Sequence, residues 1–152
     1  MLNIADEPLS EKHIKKFHYL LKYNTSDVKK SWFNVGDYKL KPNIVGGIET
    51  ALPSDVPHEM KKLLETYHKK QLISLTDIID FQFQFEQIHP FQDGNGRVGR
   101  LILFKECLLN NIIPFIIEDE YKFFYYRGLS EYPKVKEYLI DTCLSAQDNY
   151  VK

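Results

Sequence analysis

Residues 75 to 109 read LTDIIDFQFQFEQIHPFQDGNGRVGRLILFKECLL. Apolar residues recur at helical spacing through Ile78, Ile79, Phe81, Phe85 and Ile88, and Phe83 makes the segment apolar on more than one side. This predicts a central, buried helix over about 75 to 88. The period breaks at His89-Pro90, resumes after Gly94 and runs to Asn110-Asn111, whose side chains tolerate the left-handed conformation that ends a helix. Two helices therefore flank a short loop at 89 to 94.

Working outward, Ser10 precedes Ile14, Phe17, His18 and Leu21 at helical spacing, which predicts a helix from about 10 to 22 with its lysines facing water. Between Trp32 and Leu52 the pattern changes to Gly36, Pro42, Gly46 and Gly47 with β-branched residues between, as expected of an irregular hairpin over about 36 to 52. Ser54 or Asp55 then caps a helix with Pro57 near its start, Met60, Leu63, Leu64 and Tyr67 inward, and an end near Lys70. The stretch 112 to 117 contains Pro114 and reads as extended. Helices near 119 to 128 and 132 to 147 complete a mainly α class with one hairpin, in a single domain over 1 to 152.

Composition excludes several classes. The 152 residues carry 20 basic and 21 acidic side chains, a formal net charge of -1. No chain-wide field draws it to nucleic acid or anionic lipid. No apolar run suits a membrane span and no leader is recognisable, so a cytoplasmic protein is expected, although the chain could be a catalytic fragment of a longer one. Cys107 and Cys143 lie in apolar helical stretches and read as buried thiols. His13, His18, His58 and His68 show no metal spacing and read as surface residues. Among the basic residues only Arg97, Arg100 and Arg127 are arginines. Two of them share the window that also holds Gly94, Gly96 and Gly99, which suggests planar, bidentate anion recognition there.

The chemistry of that window follows from its residue types. The first turn of a helix leaves N–H groups unpaired and carries partial positive charge, so it favours a phosphate. Gly94 and Gly96 remove side chains that would hold the phosphate away, and Asn95 can donate its amide to a phosphate oxygen. Arg97 and Arg100 fall on one helical face and could span successive phosphates. Asp93 supplies the single carboxylate that Mg2+ commonly needs beside phosphate oxygens and waters. His89 has an ordinary pKa near 6.5, suited to taking a proton from a hydroxyl. Such a set is sufficient for phosphoryl or nucleotidyl transfer, which need mostly positioning and charge neutralisation.

Residues 89 to 100 resemble the signature of the Fic family, His-x-Phe-x-Asp/Glu-Gly-Asn-Gly-Arg-x-x-Arg, and match it at every specified position. The resemblance implies a Fic-type helical core with a β-hairpin flap and covers most of the chain. It implies a nucleotidyltransferase that moves AMP from Mg-ATP to a Ser, Thr or Tyr hydroxyl of a target protein. His89 would then be the base, Phe91 the loop's anchor in the core and Asp93 the Mg2+ ligand. The backbone from Gly94 to Gly96 and Asn95 would bind the α-phosphate, Arg97 the β-phosphate and Arg100 the γ-phosphate. A branch of the family that lost Gly-Asn-Gly acts as a kinase; this chain keeps Gly94-Asn95-Gly96.

Other features divide between plain and functional readings. Ile44, Val45, Gly46, Gly47 and Ile48 are either a hairpin packed on the core or an edge that docks the target by strand addition. Tyr125 and Tyr126 either border the adenine or fill the core. Many Fic proteins are restrained by a Ser/Thr-x-x-x-Glu helix whose glutamate pairs with the second motif arginine. No Ser or Thr here has Glu four residues on, so restraint of Arg100 is expected from a separate inhibitory partner or another segment, or not at all. Transfer from UTP or GTP, and a non-catalytic ATP-binding docking module, are the alternatives.

Overall fold

A computed structural model of the chain describes residues 4 to 45 and 47 to 151. Six α-helices and one two-stranded antiparallel sheet follow in the order α1 (Glu11–Lys22), β1 (Ile44–Val45), β2 (Ile48–Glu49), α2 (Val56–His68), α3 (Leu75–Ile88), α4 (Asn95–Leu109), α5 (Lys122–Glu131) and α6 (Glu137–Tyr150). Short 3-10 turns at Ser26–Lys29 and Asp119–Tyr121 precede the hairpin region and α5. Among the described residues, no helix is long and apolar enough to cross a membrane.

Local chemistry explains the helix starts. The Ser10 hydroxyl accepts from the His13 N–H and caps α1. Ser74 and Asp77 form a reciprocal capping box at the start of α3, an arrangement that satisfies two otherwise orphaned donors. Asp55 precedes α2 without a side-chain cap, and Pro57 sits in its first turn. Asn111 ends the α4 region with a φ of 57°.

The central helix α3 divides its apolar surface between two clusters. Phe81, Phe85 and Ile88 pack with Ile14, Phe17, Met60, Leu63, Leu64, Tyr67, Phe91, Val98 and Ile102. Ile78 and Ile79 pack instead with Leu103, Cys107, Phe115, Tyr125, Leu139 and Cys143. A helix with two apolar faces can hold both halves together, which is why α3 and α4 are the frame on which the loop between them is hung.

Several expectations are corrected. The last helix begins at Glu137 and not near 132, because the Tyr132-Pro133 segment is a turn with Tyr132 buried in the second cluster. The hairpin is far smaller than 36 to 52: each strand has two residues, with Ile44 opposite Glu49 and Val45 opposite Ile48. Gly47 sits in its turn with φ 79°, and Gly46 lies outside the described residues. The lysines of α1 do not all face water, since Lys22 is 5% exposed. His13 and His18 are buried as well; His58 and His68 are exposed as expected.

Candidate active site

The site is built on the loop between α3 and α4. His89 closes α3 in the left-handed region, φ 52° and ψ 61°, with its N–H donating to the Phe85 carbonyl. For a non-glycine residue this conformation costs on the order of 1 kcal/mol, and it is held only where surroundings over-determine it. The surroundings are visible. Phe91, fully buried, stacks on the His18 ring at 4.1 Å and 6° between planes. The Phe91 N–H donates to Asn95 Oδ1 and the Asn95 amide donates back to the Phe91 carbonyl, both at 2.8 Å. Asn95 is 1% exposed, and its side chain closes the loop upon itself, where the sequence suggested a phosphate donor. Its amide oxygen and one of its two amide N–H groups bond to Phe91.

Gly94 caps α4 with φ 87°, and a Cβ there would meet Leu21 Cδ2 at 3.0 Å. Beyond it, the N–H groups of Asn95, Gly96 and Arg97 open the helix with no intrahelical partner. Arg97 is half exposed and lies 3.7 Å from the Asp93 carboxylate. Arg100, one turn on, lies over the Tyr125 ring at 5.8 Å. Both guanidinium groups rim an apolar cavity of about 430 Å³ that is bordered by Leu21, Leu101, Phe104 and Phe115.

The first helix holds the loop from outside. His18 accepts from the Gly36 N–H at Nδ1, so Nε2 carries the proton and donates to the Asp93 carbonyl at 3.0 Å. Burial keeps this ring neutral, its pKa lowered to about 4. One turn later, Lys22 Nζ donates to Asp93 Oδ2 at 2.5 Å and to Asp27 Oδ2 at 2.9 Å. The hydrogen bond from Lys22 holds the Asp93 carboxyl below its ordinary range.

The hairpin is welded to the same loop. Lys39 N–H donates to the Pro90 carbonyl, Lys41 and Gln92 exchange two hydrogen bonds, and the Asn43 amide donates to the Phe91 carbonyl. Lys39 Nζ closes the stem against Asn43 and Thr50. Past this stem the apolar side chains point to solvent: Ile44 is 67% exposed and Ile48 71%. The core-packed reading of the hairpin is therefore excluded for these residues.

Three charged residues of the site were not legible in sequence as such: Lys22, Lys39 and Glu86. Lys39 is 3% exposed, and burial lowers its ammonium to about 8. Burial and then the Lys39 charge hold His89 below the ordinary value of 6.5, so its ring is neutral near pH 7. Among the described residues, its Nδ1 is buried with no hydrogen-bond partner. Glu86 lies one turn before the loop. Its Oε1 is buried without a partner among the described residues and stands 2.9 Å from where a Gly99 Cβ would be, so a side chain at 99 would displace the carboxyl. A charged residue amid Phe85 and Ile88 was the available signal. Tyr125, conversely, is a core residue and not a pocket wall: it is fully buried and its hydroxyl accepts from Gln82. Tyr126 is half exposed.

Burial pushes the Glu86 carboxyl up to about 7, with the Arg100 charge opposing. A carboxyl raised by folding binds its proton more tightly in the native state, so its contribution is fully present below about pH 4.5 and lost as pH rises through about 7. Glu86→Gln removes that loss at nearly constant volume. Between pH 5 and pH 8 the wild-type chain is expected to lose on the order of 2 to 3 kcal/mol of stability relative to the variant, read from denaturant melts at both pH values. Parallel pH dependence in the two proteins would reject a buried, protonatable Glu86.

The fold and this loop define a member of a known family. The model described as Fic/DOC family matches residues 8–106, and the chain belongs to that family. A protein of Aquifex aeolicus (strain VF5) named "Probable protein adenylyltransferase" is 30% identical over 95 residues, covering 60% of this chain and 30% of that protein. The chain thus spans under a third of that relative's length. Among solved structures, Fic-1 (residues 134 to 508) from C. elegans matches with a TM-score of 0.79 at 17% identity, over 99% of this chain and 46% of that one. A Fic-domain signalling protein from Bacteroides thetaiotaomicron gives 0.74 at 22% identity, over 95% and 60%. BepC from Bartonella tribocorum, solved with bound AMPPNP, gives 0.71 at 18% identity, over 95% and 79%. These likenesses establish the fold.

Proposed function

We propose that this chain transfers AMP from Mg-ATP to a Ser, Thr or Tyr hydroxyl of a target protein, with His89 as general base. The observation that carries the reading is the strained corner at His89: a neutral ring is held one loop away from the open N-terminus of α4, with Arg97 and Arg100 beyond it. The name of the Aquifex relative favours AMP over another nucleotidyl group.

The residues fit Mg2+ bound together with a nucleotide. Asp93 presents a carboxylate that is 60% exposed beside the helix start, and the described residues contain no group of three acidic, His or Cys ligands that would hold a metal alone. Phosphate oxygens and water must complete the shell, as Mg2+ prefers. The ion supplies neutralisation of the phosphate charge. The chain's own groups do the rest. Backbone N–H groups of Gly96 and its neighbours donate to the α-phosphate at the helix start, and Arg97 and Arg100 hold the outer phosphates. His89 takes the hydroxyl proton as the oxygen bonds to the α-phosphorus and the bond to the β-phosphate oxygen breaks, releasing pyrophosphate. Tyr126 is the member of the tyrosine pair exposed enough to border the base. A separate inhibitory partner would act by presenting a carboxylate to Arg100 at the rim of the apolar cavity.

The test is incubation with ATP labelled at the α or the γ phosphate, with the purified chain itself as acceptor. Label from the α position only, with a mass gain of one AMP, is expected. Label from γ would mean a kinase, and ATP binding with no label from either would mean a docking module.

The exposed hairpin edge is proposed to take the target by strand addition. Ile48 pairs with Val45 in the ladder, so Ile48→Pro breaks the short hairpin that presents the edge, whereas Ile44 adjoins the bonds from Asn43 and is the less clean site. Loss of one or two main-chain hydrogen bonds should weaken modification of a protein target by roughly 5- to 100-fold, with ATP affinity by calorimetry unchanged. Equal loss of both would make the hairpin structural.

A further inference from the structure

The Asp93 carboxylate faces an ammonium. Lys22 is 5% exposed, and its Nζ sits between Asp93 Oδ2 at 2.5 Å and Asp27 Oδ2 at 2.9 Å. Its stem crosses the space left by Gly94, with Cε 3.4 Å from where a Cβ would stand, and its Nζ lies 5.6 Å from the Phe33 ring centroid. A long side chain immobilised at its head and along its stem loses most of its rotamer freedom, a cost that two charged hydrogen bonds must offset. Within this cluster Lys30 also holds Asp27 at 2.6 Å and Arg97 approaches Asp93 at 3.7 Å. Three cations thus face two carboxylates.

We propose that Lys22 is a built-in counter-cation: in the nucleotide-free chain its ammonium takes the place of a divalent ion on Asp93, so that metal enters only together with the nucleotide's phosphates. The proposal rests on the reading of Asp93 as a metal ligand. A free divalent cation approaching this cluster meets a net positive charge, and like charges at a few ångströms repel strongly where water is partly excluded. A triphosphate reverses that balance. When the ion and the phosphates arrive, Lys22 leaves Asp93 Oδ2 but stays tethered by Asp27, close enough to add its charge to the phosphate cradle. Lys22 is therefore a positioning residue that makes metal and nucleotide bind as a unit.

Mn2+ provides the probe, because its free ion is counted directly by electron paramagnetic resonance without any turnover. The wild-type chain should take up Mn2+ only when AMPPNP is present. Lys22→Met should take up Mn2+ alone, about tenfold or more tighter than wild type, since removing one positive charge from the cluster changes its interaction with a divalent ion by more than the 1.4 kcal/mol that tenfold represents. Lys22→Arg should behave as wild type, and Asp93→Asn added to Lys22→Met should abolish uptake. Lys22→Gln gives the same reading if the methionine variant does not fold. If wild type binds Mn2+ alone as tightly as Lys22→Met, with Asp93→Asn removing the binding from both, the counter-cation role is wrong while Asp93 remains the metal residue. If Asp93→Asn leaves Mn2+ uptake with AMPPNP unchanged, the metal assignment itself is wrong and the proposal falls with it.

Discussion

His89→Ala is expected to lose transfer by on the order of 100- to 10,000-fold while retaining Mg-ATP binding. The ring stands at the end of α3, whereas the phosphate donors belong to the start of α4 and to Arg97 and Arg100. Alanine at 89 must also hold the left-handed backbone without the help of the imidazole, so a modest loss of stability accompanies the loss of rate. The pH dependence separates the base from a mere spacer. Burial and Lys39 hold the His89 pKa below 6.5, so the basic form is present at neutrality. The wild-type rate should fall only as pH drops through that lowered value, with the half-point below 6.5. Single-turnover labelling across pH 5 to 8 measures this. Near-normal turnover by the alanine variant, or a flat profile on the acid side, would remove His89 from the mechanism.

Asn95→Ala is the second large effect, and it separates the structural account of this residue from the one its sequence position suggests. As a phosphate donor, Asn95 could be truncated with loss of ATP affinity and little else. As a buried clamp, truncation leaves the Phe91 N–H without an acceptor inside the core and removes one of two donors from the Phe91 carbonyl, the other being Asn43. An orphaned buried donor and the cavity beside it together cost about 2 to 4 kcal/mol. The expected result is an earlier denaturant midpoint with unchanged slope, and transfer lost along with the loop's shape. Asn95→Asp should also destabilise, because it turns a carboxylate oxygen toward the Phe91 carbonyl. A variant as stable as wild type that had lost only nucleotide affinity would restore the phosphate-donor reading.

Much of the frame was legible because it is written in local patterns. The span of α3, the start and end of α1, the inner face of α2 and the buried cysteines all follow from periodicity and local signals within a few residues of one another. The boundaries that were missed have a common cause. The start of α6 and the small size of the hairpin depend on which segments find partners: Tyr132 is drawn into the second cluster, and residues 39 to 43 spend their hydrogen bonds on the loop at 90 to 92 and not on a longer ladder.

The sequence by itself determined the helical class, the loop between two buried helices, and the cluster of histidine, acid, glycines and arginines whose chemistry is carried by residue type and spacing. Only the tertiary structure decided what each polar group is free to do. Asn95 turns inward because Phe91, four residues earlier, needs its two hydrogen bonds once buried. Tyr125 is removed from the surface, and Glu86 is left protonatable beside Arg100. Lys22 and His18 reach Asp93 across more than 70 residues of chain, and Lys39 comes to bear on His89. Spacing along one helix fixes which side chains share a face. It carries no information about which distant charge will be opposite them when the core closes, and the pKa and availability of a catalytic group depend on that distant charge and on burial.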